Sequence, residues 1–207
     1  IAVSNAPEPW IKPVVIDDGN RKERVVAISE GFVDLINNVS HAKAIDKIEP
    51  GFFDYYLRQL ATESGAVRLR DLPAVEQKRY WTEEVLNEQQ SNFNQMVALL
   101  LGMQLAHHSL GHYDSNGYEL NDWLTAPPIN NLVSPQEWNN AFRIGLERSL
   151  SAGYGVEGFV ALCEALERMP RRPAWTTFFL PKGINYTQLE RELERSEAEF
   201  FEPLEGD

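Results

Sequence analysis

The chain has 207 residues, a formal net charge of −12 and 43% hydrophobic residues, values typical of a globular protein built around one substantial core. The negative charge argues against nucleic acid and anionic lipid as partners, because both are polyanions. The sequence contains no run of about 18 apolar residues, so no segment is predicted to span a membrane. Small molecules, peptides and basic protein surfaces remain as partner classes.

The single cysteine and the first residue bear on the compartment. Cys163 lies among apolar residues, which predicts a core position, and a lone cysteine excludes an internal disulfide. The chain begins at Ile1 rather than Met, as in a trimmed chain or a mature product whose targeting segment has been removed. This beginning is compatible with an exported or periplasmic protein.

Turn and periodicity signals divide the first half of the chain. Residues 1–19 carry three prolines and little periodicity, which predicts an irregular N-terminal arm, and residues 20–207 are predicted to form one domain. The other predicted elements here are a strand at 24–29, helices at 32–48 and 52–61, a loop at 63–73 with a strand candidate at 67–69, and a long helix from Thr82 into a histidine cluster.

Helix-capping signals organise the second half. Ser134, Pro135 and Glu137 predict a helix N-terminus, with serine as N-cap, proline at the first helical position and the glutamate closing a capping box. A loop is predicted at 117–133, and the capped helix is predicted to end near Ala152. The further predicted elements are a helix at 156–169, an extended piece at 176–181 and a C-terminal helix that begins with a capping box at 187–190. The apolar stripe of this last helix consists of Leu189, Leu193 and Phe200.

Three of the four histidines follow an apolar stretch that begins at Met96. His108 and His112 are four residues apart, so on one helix they would lie one turn apart on the same face and could bind one metal ion. The preceding Gly111 would let another element approach closely. His107 would point about 100° away from His108, which predicts a surface position or a supporting role. A pair kept only as polar core or as an inherited remnant is the alternative, and His41 is predicted to be a structural or surface histidine rather than a ligand.

A zinc ion in such a site would need a third protein ligand, often a carboxylate from a later helix. Glu137 is the best placed candidate, although its capping role explains it equally well. Glu147, Asp114 and Glu119 are weaker candidates. The predicted metal ligands are therefore His108, His112 and Glu137.

Three segments in order resemble the zinc metallopeptidases of the HtpX and CAAX prenyl endopeptidase type, which are gluzincins. RVVAISEGFVDLI resembles the strand and helix start of that family, LAHHSLGHY its metal-binding helix, and ERSLSAGYGVEGFVALCEALERM its later helical segment. The resemblance implies a single, predominantly helical α+β domain of zincin type with a small sheet, and a zinc ion held by the two histidines and a later carboxylate.

The departures from the family pattern concern its catalytic residues. Ser109 stands where the family has its general-base glutamate, and the third-ligand position falls on Trp138 unless a one-residue shift restores Glu137. Leu180 replaces a further family histidine. Because losing a general base typically costs about 10²- to 10⁴-fold in rate, standard peptidase activity is not expected.

Three hypotheses follow from this sequence. The preferred one is a degenerate gluzincin that acts by binding a peptide or protein partner and that retains its histidine pair, with or without zinc. The alternative is an active zinc-dependent peptidase with a non-standard general base. The third is a mostly helical domain without a site.

Overall fold

The structure is a computed structural model that describes residues 1–17, 19–60, 71–112, 124–169 and 172–202. Within these ranges the chain has six α-helices and one three-stranded sheet, which confirms the prediction of a predominantly helical α+β fold. The strand candidate at 67–69 and the first part of the predicted loop at 117–133 lie outside the described residues.

The N-terminal segment forms strands, so the prediction of an irregular arm over residues 1–19 is wrong. The strands are β1 (Ala2–Ser4), β2 (Ile11–Asp17) and β3 (Lys22–Ser29). β3 lies in the middle, with β1 parallel to it on one side and β2 antiparallel on the other. Pro13 fits in β2 because an edge strand tolerates the missing N–H, and this is why the prolines misled the prediction.

The first three helices follow the predicted order. They are α1 (Glu30–Asp46), α2 (Phe52–Leu60) and α3 (Glu83–Ser109). Ser29 ends β3 and also caps α1, because its hydroxyl accepts a hydrogen bond from the Phe32 N–H. His41 in α1 is buried and its Nε2 donates to the Tyr80 carbonyl at 2.8 Å, which confirms its structural role.

The remaining helices are α4 (Pro135–Ser151), α5 (Glu157–Arg168) and α6 (Tyr186–Phe201). The capping box of α4 is confirmed. The predicted start of α6 is wrong by two residues, because Asn185 is the N-cap and its side chain accepts from the Gln188 N–H. Phe200 is exposed, in contrast to the buried Leu189 and Leu193. Residues Ala174–Phe178 form a 3₁₀ turn where an extended piece was predicted.

Helix α3 packs against α1, α4 and α5 and is the central helix of the described chain. It approaches α4 closely where Gly102 and Gly145 meet, and neither position has room for a side chain. A Cβ atom at Gly145 would lie 2.7 Å from the Met103 backbone nitrogen, and a Cβ atom at Gly102 would lie 2.9 Å from the Gly145 carbonyl oxygen. Cys163 of α5 is fully buried, as predicted. These contacts fix the start of α4 beside the end of α3.

A buried lysine ties the sheet to the segment before α4. Lys12 of β2 is 1% exposed and donates to the carbonyl oxygens of Leu124 at 2.9 Å and Ala126 at 3.1 Å. Its ammonium group lies 4.5 Å from the centre of the Trp10 ring, and burial lowers its pKa to about 8. Among the described helices, none has the length and apolar character needed to cross a bilayer.

Candidate functional site

Helix α3 ends before the second histidine of the predicted pair. Ser109 is its last residue, and Gly111 follows with φ of +70°. The Gly111 N–H donates to the His108 carbonyl and the His112 N–H to the His107 carbonyl, each at 3.2 Å. These two bonds form a Schellman motif, in which a glycine in the left-handed conformation closes the helix. The prediction that His108 and His112 share a helix face is therefore wrong, and Gly111 serves as a helix terminator.

His108 connects the end of α3 to the sheet. Its Nε2 donates to the carbonyl oxygen of Val25 at 2.9 Å, and Arg24 donates from its guanidinium group to the His108 carbonyl at 2.9 Å. Because a carbonyl oxygen only accepts, the proton of this imidazole resides on Nε2. This nitrogen has no lone pair to offer to a metal in this arrangement.

His107 contacts His112 in the interior. The two Nδ1 atoms are 2.9 Å apart, and the rings meet edge to face with centres 5.1 Å apart. His107 is 0% exposed, so of its two predicted positions, on the surface or in a supporting role, the surface position is wrong. Burial lowers the pKa of both rings. For His107, the neighbouring His112 and His108 add to the effect of burial, and its pKa is about 3. Both imidazoles are therefore neutral near pH 7, with one Nδ1 donating to the other.

Glu137 has the capping role that the sequence offered as one of its two explanations. Its carboxylate accepts from the Ser134 N–H at 2.7 Å, and its own N–H donates to the Ser134 hydroxyl oxygen at 3.3 Å. These bonds lower the pKa of Glu137, and the proximity of His112 and His107 lowers it further. The structure thus brings Glu137 near His107 and His112, while His108 faces the sheet.

Each of the three predicted zinc ligands has a hydrogen-bond partner of its own in this structure. A zinc site needs lone pairs from two imidazoles and a carboxylate to meet at distances near 2 Å, whereas His108, His112 and Glu137 each have a different hydrogen-bond partner. Nowhere in the described ranges do three or more His, Cys, Asp or Glu side chains form a group able to hold a metal. Zinc binding remains a prediction that would require these side chains to rearrange.

The residues at the family's other catalytic positions also have structural partners. Ser109, at the general-base position, donates its hydroxyl to the Ala106 carbonyl at 2.9 Å. Trp138, at the third-ligand position of the ungapped alignment, is 6% exposed and stacks on Phe142 with ring centres 5.1 Å apart. Leu180 is buried in the core. These positions stabilise helices and fill the interior.

A pocket between the starts of α4 and α6 was missed at the level of sequence. It encloses about 550 Å³, and six Asn and Gln residues contribute to its wall: Asn130, Asn131, Gln136, Asn139, Asn185 and Gln188. The available signal was the density of amide residues around two helix starts. Because the two groups are far apart in the chain, only the tertiary structure shows that they meet.

The chain matches no protein-family model, no curated protein and no solved structure in the comparisons made.

Proposed function

We propose that this protein is a degenerate metallopeptidase of the gluzincin, zincin-like type that does not cleave peptides by the family's mechanism and acts by binding a peptide or protein partner. The motif order supports the relationship: β3 leads directly into α1, and the histidine motif lies at the end of a long helix. The observation that carries the proposal is the termination of α3 at Ser109. This termination separates the two histidines that zinc would require on one face.

Peptide hydrolysis needs a metal-bound water and a base that takes its proton. Ser109 cannot act as that base near neutral pH, and its hydroxyl is hydrogen-bonded to Ala106. The protonated Nε2 of His108 faces Val25. Because the described residues provide neither a base beside His108 nor a group of three metal-binding side chains, binding is the activity that we favour.

A cleavage assay tests this proposal. Wild-type protein and His108→Ala are incubated with an unstructured peptide and added zinc, and we expect no cleavage by either. Ser109→Glu restores the family's glutamate and is expected to remain inactive, because Gly111 would still terminate the helix before His112. Cleavage by the wild type that is lost in His108→Ala would contradict the proposal and favour the active-peptidase alternative.

Metal analysis addresses the zinc prediction separately. Protein purified without chelator is compared with His108→Ala and His112→Ala by elemental analysis. We expect neither substitution to change the zinc content, because the two rings do not share a ligand point in this structure. Equal loss of zinc in both variants would instead support the metal site that the sequence predicts.

A further inference from the structure

The pocket between the starts of α4 and α6 has the size and wall chemistry of a ligand site. Its volume of about 550 Å³ falls within the usual range for small-ligand pockets, roughly 300 to 1,000 Å³. Apart from the amides and Trp138, its wall is mainly aliphatic: Val133, Pro135, Pro181, Ile184 and Leu189. Apolar walls with a few placed polar groups are the usual composition of such sites.

Three of the pocket's amides are available for a ligand. Asn131, Asn139 and Gln188 make no side-chain hydrogen bond to the described part of the chain. Their neighbours differ, since Asn130 donates to the Thr177 carbonyl and Asn185 caps α6. Each available amide offers both a donor NH₂ group and an acceptor oxygen. Groups of both kinds therefore line the same pocket.

Within the described ranges, two residues of the pocket wall each have a polar atom without a hydrogen-bond partner. The indole N–H of Trp138 and the side-chain oxygen of Asn130 are buried and lack a hydrogen-bond partner among the described residues. Because both atoms are buried, a ligand would contact them only if neighbouring side chains moved. Buried polar atoms in native proteins usually have a hydrogen-bond partner. This pocket wall contains one donor and one acceptor that have none among the described residues.

The charges around the pocket favour a neutral ligand. Lys182 and Glu192 both line it and have opposite signs. The start of α4 would attract an anion through its helix dipole, but the Glu137 carboxylate already occupies that position. The pocket therefore suits an uncharged ligand that carries its own hydrogen-bond donors and acceptors.

We propose that this pocket binds an extended peptide segment through its main chain, with Asn139 of α4 and Gln188 of α6 hydrogen-bonding to peptide N–H and C=O groups. Peptide is favoured over saccharide because the Trp138 ring is buried and stacked on Phe142, so it presents no open face to a sugar. The aliphatic wall suits peptide side chains. This inference rests on the proposed function, for which it supplies the binding site.

Nuclear magnetic resonance of ¹⁵N-labelled protein tests the proposal. The probe is a mixture of random-sequence hexapeptides with acetylated N-termini and amidated C-termini, so that only main-chain and side-chain groups can bind. We expect the side-chain amide resonances of Asn139 and Gln188 to shift during the titration. We expect Asn139→Ala and Gln188→Ala each to weaken binding about 2- to 10-fold, the effect of losing one hydrogen bond.

Matched controls separate the outcomes. Gln90→Ala removes an exposed amide of α3 outside the pocket and is expected to leave binding unchanged. The inference is overturned by the absence of binding, by shifts confined to another surface, by equal affinity in the pocket variants, or by maltohexaose shifting these amides when the peptides do not. Cleavage of the hexapeptides during the titration would instead overturn the proposed function. If a variant fails to fold, the resonance shifts of the wild-type protein still show whether the peptides bind in the pocket.

Discussion

The end of α3 and the start of α4 lie within electrostatic range of each other but are built in opposite ways. At the end of α3, His107 is fully buried and neutral. At the start of α4, Glu137 is exposed and holds its charge in a capping box. Residues predicted to form or support one metal site thus lie at two separate helix ends, one buried and neutral and the other charged and in water.

The largest effect is expected in the pH dependence of the free energy of unfolding, which tests whether His107 is buried and neutral. The unfolded-state pKa of His107 is near 6.5, and burial lowers the folded-state pKa to about 3. As pH falls through that window the unfolded chain binds the proton first, so the free energy of unfolding decreases by up to about 1.4 kcal/mol per pH unit for each such histidine. Burial also lowers the pKa of His112 and His41, which adds to the decrease.

Urea denaturation between pH 7 and 4.5 measures this effect before most carboxylates titrate. His107→Phe removes one buried titrating ring, so we expect its stability to depend less steeply on pH than that of the wild type. A free energy of unfolding that stays constant over this interval would show that the interior histidines are not as buried as the structure has them.

The next largest effect concerns the termination of α3. Gly111→Ala places a side chain at φ of +70° and is expected to destabilise the protein by about 1–2 kcal/mol. Gly111→Asn should cost less, because asparagine tolerates the left-handed region better than alanine. Thermal unfolding of the two variants measures the difference. A stable Gly111→Ala variant would mean that the helix continues through His112, which would revive the shared-face geometry.

Removing the cap of α4 is expected to have an intermediate effect. Ser134→Ala deletes the hydroxyl that accepts from the Glu137 N–H and should cost about 1 kcal/mol. Ser134→Thr keeps an acceptor and should recover most of the loss. Urea denaturation gives the free energies, and hydrogen exchange at the Glu137 amide locates the effect. An unchanged exchange rate in Ser134→Ala would contradict the capping assignment.

The smallest effect is expected from Glu137→Gln. The amide oxygen can still accept from the Ser134 N–H, so the melting temperature should change little. The pKa of His112 should fall, because the Glu137 charge raises it in the wild type. A histidine titration by nuclear magnetic resonance measures that shift. An unchanged His112 pKa would mean that the two helix ends are electrostatically independent.

Local signals predicted the start of α4 correctly, because a cap is formed by residues adjacent in sequence. The end of α3 had an equally local signal in Gly111, but the sequence interpretation assigned this glycine to close packing. The burial of His107 could not be predicted in this way, because the orientation of a helix around its axis is set by its neighbours. The strand β2 was missed because Pro13 interrupts its pattern, and β1 because its three residues are too few to show an alternation.

The hydrogen bonds of Lys12 bear on the order of folding. They connect residues 112 and 114 positions apart in the chain, and ordering the long intervening segment carries an entropic cost that slows the formation of such contacts. The edge of the sheet near Lys12 therefore reaches its final form only after α3 has brought the two parts of the chain together. We therefore expect the Lys12 hydrogen bonds to form late in folding, whereas β2 and β3, which are adjacent in sequence, can pair without them.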